Sequence, residues 1–197
     1  MTCIAALIAD GVGYIAGDSL GSNDSTQSVY RNRKVFRRGD FLIGCAGSYR
    51  LTQILQYGLV VPARRSGRSL EDYLYVDFVD AVRAALDDSG LSKVPSGCSF
   101  LIVAESRIFT FQADLSLLES EDPFEACGSG EDYARATMWT MLNHGIGGPE
   151  QILTEAIESA SRYVPNVGGP VHHLRMPEVA KVVRRRRVGE RYAASES

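Results

Sequence analysis

The sequence predicts an α+β layered protein rather than a βαβ repeat. Three observations predict it. Apolar, β-compatible runs occur as pairs around turn dipeptides, two stretches of helical spacing lie side by side after the second such pair, and a second pair of helices precedes the last strands. The resulting order is strands, two helices, strands, two helices, strands.

Residues 2–9 (TCIAALIA) are an apolar strand, Asp10-Gly11 is a hairpin signal, and 12–18 (VGYIAGD) is the second strand. The polar stretch 19–33 reads as loop with some extended structure. Residues 34–38 and 41–46 form another hairpin around Gly39-Asp40. Leu51, Ile54, Leu55 and Leu59 give a helix over 49–60. Ser69, followed by acids at 71 and 72, caps a helix that runs to about Asp88. Strands return at 97–104, 107–112, about 115–119 and 124–127. A helix starts near Glu131, and Pro149 opens another that ends near Tyr163. Strand-like stretches at 170–175 and 178–185 follow, then a flexible tail at 190–197. No Pro/Gly/Ser-rich linker divides the chain, so residues 1–189 read as one domain.

With 45% hydrophobic and 23% charged residues among 197, the chain has the apolar mass for a full core. A net charge of -3 argues against a nucleic-acid binder. The start MTCIAALIADG lacks a basic segment and breaks at Asp10, so it is a poor signal peptide, and no run reaches the ~20 apolar residues of a membrane span. Cys3, Cys45, Cys98 and Cys127 are scattered in apolar runs, without metal-ligand spacing or a disulfide framework, which fits a cytoplasmic protein.

Thr2 is the first chemical candidate. With Met1 removed, its hydroxyl is a nucleophile and its own α-amine, pKa ~7.7–8.0, is the base. The hairpin at Asp10-Gly11 returns Asp18 beside Thr2, and Lys34 opens the next strand at the same end. A lysine there stabilises developing negative charge, and an aspartate holds that lysine charged and oriented.

Thr2-Cys3-Ile4, Ala16-Gly17-Asp18-Ser19, Lys34-Val35, Gly44-Cys45-Ala46-Gly47 and Gly128-Ser129-Gly130 resemble the catalytic β-subunits of the 20S proteasome. They are also similar to the bacterial peptidase subunit that partners an ATP-driven unfoldase. In that family the acid follows the threonine by sixteen residues and the lysine by thirty-two, the spacings of Asp18 and Lys34 from Thr2. The resemblance implies the four-layer αββα sandwich of N-terminal-nucleophile hydrolases, two antiparallel sheets flanked by helix pairs. It assigns Thr2 as nucleophile, Asp18 as acid, Lys34 as the lysine, the Gly47 N–H as oxyanion donor, and Ser129 as a hydrogen-bond partner near the Thr2 amine. Ser129 is alternatively, or also, a helix cap.

One departure stands out. The family carries an Asp and a Ser before a Gly-Gly, whereas this chain reads Asn166-Val167-Gly168-Gly169 and offers no acid. Cys3 would be N-terminal only after loss of Thr2, which reverses its side-chain direction, so it reads as a core residue. His172-His173 point to opposite faces of a strand and do not read as a metal site, and the arginine run at 184–187 reads as a charged edge strand.

The implied activity is threonine-type peptide hydrolysis through an acyl-enzyme, within a self-compartmentalising homo-oligomeric ring. Its substrates would be peptides or unfolded proteins, with an ATP-driven unfoldase as a candidate partner and no metal or organic cofactor. Helix faces at 49–60 and 69–88 are the candidate subunit contacts. Two other readings stand beside it: an amidase of the same fold acting on a small non-peptide amide, and a non-catalytic ring or scaffold subunit.

Overall fold

The computed structural model describes residues 2–22 and 26–177. The strand expected at 178–185, the arginine run and the tail at 190–197 lie outside the described residues. Eleven strands and four helices are described. The strands are β1 (Ile4–Ala9), β2 (Val12–Gly17), β3 (Leu20–Ser22), β4 (Gln27–Val29), β5 (Val35–Arg38), β6 (Phe41–Ala46), β7 (Ser99–Ala104), β8 (Arg107–Phe111), β9 (Leu117–Glu119), β10 (Phe124–Cys127) and β11 (His172–Arg175).

Helix α1 runs from Tyr49–Gln53 into a π-helical segment, Ile54–Gly58. Its signature is the Leu59 N–H bonded to the Ile54 carbonyl five residues back, at 3.0 Å. Helix α2 comprises Leu70–Asp72, a π-helical Tyr73–Phe78 and Val79–Asp88. Ser69 caps it as the sequence indicates, its side chain accepting the Asp72 N–H at 3.0 Å. Helix α3 is Glu131–Asn143, and α4 is Pro149–Tyr163 with its proline in the first turn.

All strand pairings are antiparallel. One sheet has the order β10-β1-β2-β11 and the other β5-β6-β7-β8-β9. The stretch at 19–33 is not plain loop: β3 and β4 pair there as a small separate hairpin. Its strands are only three residues long, too short to show alternation in the sequence.

Strand alternation sorts the core into three clusters. Ile43, Cys45, Phe100, Ile102 and Phe109 join Leu51, Leu55, Phe78 and Val82 of α1 and α2. Cys3, Ala5 and Leu7 join Met138, Leu153 and Ile157 of α3 and α4. The intervening positions Ile4, Ala6, Leu42, Leu101 and Val103, drawn from both sheets, form the third. Fully burying one such Leu, Ile or Phe side chain contributes roughly 1.5–3 kcal/mol. No helix among the described residues is long and apolar enough to cross a membrane.

Candidate active site

The site is built where the first residues of the two sheets meet. In the β1–β2 register Ile4 faces Gly17, which brings Cys3 and Thr2 to the end of the sheet where Asp18 leaves β2. Cys3 N–H donates to Asp18 Oδ1 at 3.0 Å, and Asp18 N–H donates to the Cys3 carbonyl at 3.2 Å. Lys34 precedes β5 and is held by its carbonyl, which accepts the Cys45 N–H at 2.9 Å. Its side chain crosses to the first sheet, where Nζ donates to Asp18 Oδ1 at 2.8 Å and to the Leu20 carbonyl at 2.7 Å.

Asp18 and Lys34 are 0% and 3% exposed, so their pairing determines whether either can stay charged. Burial pulls the Lys34 ammonium below its ordinary value, and the Asp18 carboxylate beside it opposes that. Asp18 is further satisfied on Oδ2 by the N–H groups of Leu20 (3.3 Å) and Gly168 (3.2 Å). The carboxylate thus joins β1, the turn after β2, the lysine and the Gly168 loop.

Thr2, itself nearly buried, has its nitrogen 3.3 Å from Ser129 Oγ, the acceptor of that bond. The Thr2 carbonyl accepts from Ser129 Oγ and Gly130 N, each at 3.4 Å. Ser129 does not cap α3. The cap position belongs to Gly130 and no side chain bonds there, so the serine's contacts go to Thr2.

Gly47 ends the loop from β6 into α1, whose N-cap is Ser48, with Ser48 Oγ accepting the Arg50 and Leu51 N–H groups. Gly47 has φ +104°, and a Cβ there would lie 2.5 Å from Cys98 Sγ and 3.1 Å from Cys98 Cα. Only glycine holds this backbone in place. Thr2, Lys34, Gly47, Cys45, Tyr49 and Thr52 line one pocket of about 60 Å³. A wider groove of about 840 Å³ has Cys98 and Ser129 in its lining and carries Glu121, Asp122, Glu125 and Glu131. The five residues singled out in the sequence therefore converge, although each flanks a different element of the chain.

The departure before Gly168-Gly169 is structural. Val167 is 4% exposed and packs in the cluster beneath α3 and α4. Asn166 Oδ1 accepts from Gln27 Nε2 at 3.4 Å, and Gln27 Nε2 also donates to the Pro165 carbonyl at 2.7 Å. That segment is thus tied to β4, and it supplies no carboxylate near Thr2. Cys3 is fully buried, and burial first, then Asp18, pushes its thiol pKa up. His173 Nε2 lies 3.0 Å from Thr154 Oγ1 on α4. Among the described residues no group of three His, Cys, Asp or Glu side chains is placed to hold a metal ion.

Sequence reasoning missed three contributors: the Gly168 N–H that fixes Asp18, Cys98 behind Gly47, and Gln27 on the small hairpin. Each acts across more than 45 residues of chain through a hydrogen bond or a shape contact, which leaves no local pattern.

No protein-family model matches the chain, and no curated protein matches it. Solved structures do. Thiobacillus denitrificans BPH in complex with epoxomicin is 21% identical, with a TM-score of 0.75 over 89% of this chain and 98% of that one. Eukaryotic HslV from Trypanosoma brucei is 16% identical, with a TM-score of 0.65 over 88% and 98%. Anbu, an ancestral beta-subunit from Yersinia bercovieri, is 17% identical, with a TM-score of 0.64 over 89% and 82%. The chain thus shares the fold of these three structures over most of its length, a mixed α/β arrangement with antiparallel sheets and four helices.

Proposed function

We propose that the chain is an N-terminal threonine peptidase that hydrolyses peptide bonds through an acyl-enzyme. The observation that carries this reading is the buried Lys34–Asp18 pair opening onto the pocket that Thr2 and Gly47 also line. The chemistry requires Thr2 to be the first residue of the working chain. Thr2 Oγ then attacks the scissile carbonyl while its α-amine takes the hydroxyl proton. The carbonyl electron pair moves onto oxygen, stabilised by the Gly47 N–H. The positive charge of Lys34, kept in place by Asp18, favours the oxyanion and disfavours a second positive charge on the nearby amine. Collapse expels the leaving amine, which takes the proton from the α-ammonium and leaves an ester on Thr2. Water, deprotonated by the same amine, attacks the ester and releases the acid. Ser129 orients the amine.

The three core clusters support reading the architecture as a four-layer αββα sandwich in one domain. Ring assembly is part of the proposal. Tyr57, Val60, Tyr75 and Val76, all well exposed, lie on or beside α1 and α2, where subunit contacts are expected. The buried Val167 in place of a polar residue supports the second reading, an amidase for a small non-peptide amide.

The test combines intact mass with turnover. Protein lacking Met1 should cleave fluorogenic peptides, and Thr2→Ala should lose that turnover by at least ~10³-fold. Unchanged turnover in Thr2→Ala sinks the assignment, and cleavage of acyl-amides but not peptides selects the amidase. Light scattering reads the ring.

A further inference from the structure

His173 joins β11 to α4. Its Nε2 lies 3.0 Å from Thr154 Oγ1, and that hydroxyl already donates its only hydrogen to the Glu150 carbonyl at 2.9 Å. Thr154 can therefore only accept from the ring, so Nε2 carries the proton and Nδ1 is a bare lone pair. Nδ1 is buried and has no hydrogen-bond partner. A second proton placed there would be a buried N–H without an acceptor, on a charged ring. The contact fits the neutral ring alone.

The surrounding charges do not offset this. Burial is the largest influence and disfavours the cation; Glu150, at the start of α4, favours it, and His172 opposes it again, so the ring holds a second proton less well than an ordinary histidine. Arg175, two residues on and on the same face of β11, lies over the Tyr14 ring of β2, 5.7 Å from its centroid, and supplies no counter-charge. His172 takes the other face, where Arg33 acts on it.

Among the described strands β11 lies at the edge of its sheet, and its first pairs are His172 with Gly17 and His173 with Ala16. Asp18 follows Gly17 directly. Just before β11, the Gly168 N–H donates to Asp18 Oδ2, and the Gly168 carbonyl accepts the Ser19 and Leu20 N–H groups at 3.1 and 2.9 Å. The strand that His173 anchors thus leads out of the loop that fixes the Asp18 carboxylate.

We propose that His173 is a pH-sensitive latch: its neutral ring holds β11 and the Gly168 loop in place, and protonation releases the strand and loosens Asp18. The latch does not depend on the peptidase reading; only its effect on turnover does. The released ring titrates near the ordinary 6.5 and the latched ring below it. The latched state is therefore fully favoured above pH 6.5. Below that, the opening constant rises by up to about tenfold per pH unit, until the latched ring itself takes a proton.

Two measurements on the full chain test this. The first is the NMR titration of the His173 ring in wild type. The ring should be the Nε2–H tautomer and titrate below 6.5. The second is hydrogen exchange of the amides of residues 171–175 from about pH 5 to about pH 8, corrected for intrinsic rates, in wild type, His173→Gln and His172→Gln. Glutamine keeps a donor for Thr154 Oγ1 and does not titrate. Opening should rise with acid in wild type and in His172→Gln, and stay level in His173→Gln. A ring that titrates at or above 6.5, wild-type opening that is independent of pH, or an acid slope retained in His173→Gln overturns the proposal. If His173→Gln does not fold, the ring titration and wild-type exchange decide alone. Peptide turnover reads the link to the site: kcat/KM of wild type relative to His173→Gln should fall as pH drops below 6.5, and a constant ratio overturns the loosening of Asp18. Failure of the peptidase reading looks different, with turnover absent at every pH while exchange still reports the latch.

Discussion

Lys34 Nζ and Asp18 Oδ1 are 2.8 Å apart in a region where neither side chain is more than 3% exposed. A buried pair of this kind is not itself strong evidence of stability, because taking both charges out of water offsets most of their attraction. Breaking it is costly. Asp18→Asn leaves a buried ammonium without a counter-charge, with only neutral acceptors such as the Leu20 carbonyl, and weakens the acceptor for the Cys3, Leu20 and Gly168 N–H groups. The expected loss is roughly 3–5 kcal/mol in urea denaturation. Adding Lys34→Met to that variant should recover part of the stability and none of the turnover. If the double variant regains activity, the charge pair has no part in the chemistry.

Gly47 makes a sharper demand. Its φ of +104° disfavours any side chain, and Cys98 blocks the space a Cβ would need. Gly47→Ala should reduce kcat by about 10²-fold or more, the typical loss for one oxyanion donor, by moving the N–H away from the pocket. Pairing it with Cys98→Ala should relieve the collision but not the backbone conformation, so stability should recover partly and kcat little. Full recovery of kcat in the double variant would falsify an oxyanion role that depends on this backbone geometry.

Ser129 accepts from the Thr2 nitrogen at a rather long 3.3 Å and caps no helix. Ser129→Ala should therefore cost little stability, at most about 1 kcal/mol. It should still change the pH dependence of kcat/KM, because the group it orients is the proposed base. Measuring that profile separates the two roles. An unchanged profile alongside a lowered melting temperature would make Ser129 purely structural.

Much of this site is legible in the sequence because it is built on register. Asp10-Gly11 sets the β1–β2 pairing, and that pairing alone carries Asp18 back to Thr2. Lys34 follows from its place before β5, while Gly47 and Ser129 are assigned by the family resemblance and lie in glycine-containing turns at strand-to-helix junctions. The three-residue strands β3 and β4 are too short for periodicity, and the π-helical turns of α1 and α2 look helical by spacing. Cys98 acts by occupying space behind Gly47, and Val167 by filling a core, and neither leaves a chemical signature. The resemblance places Ser129 near the Thr2 amine, its position before a helix also allows a cap, and only the geometry of the α3 terminus shows that it does not cap.

The buried thiols should govern alkaline stability. Burial is the first cause that pushes up the pKa of Cys3, Cys45 and Cys127, the last from 9.0 to about 12. In the unfolded chain these thiols ionise above pH 9.0, while the folded chain keeps them protonated. The native state then binds more protons than the unfolded one, so stability falls as pH rises, by ~1.4 kcal/mol per pH unit for each thiol. Lys34 works the other way. Its folded pKa is lowered, so up to pH 10.5 the unfolded chain binds the extra proton and stability rises with pH. Three thiols outweigh one lysine, and denaturation midpoints in reductant should drop steadily from pH 9 upward. Cys127→Ala removes one titrating group and leaves the others. It should be less stable than wild type near pH 7, by roughly 1–2 kcal/mol for the lost sulfur and the space it leaves. That deficit should shrink by ~1.4 kcal/mol for each unit above pH 9.0, because the variant no longer loses this proton on unfolding. A deficit that stays constant from pH 7 to 11 would mean that the Cys127 thiol ionises equally in both states.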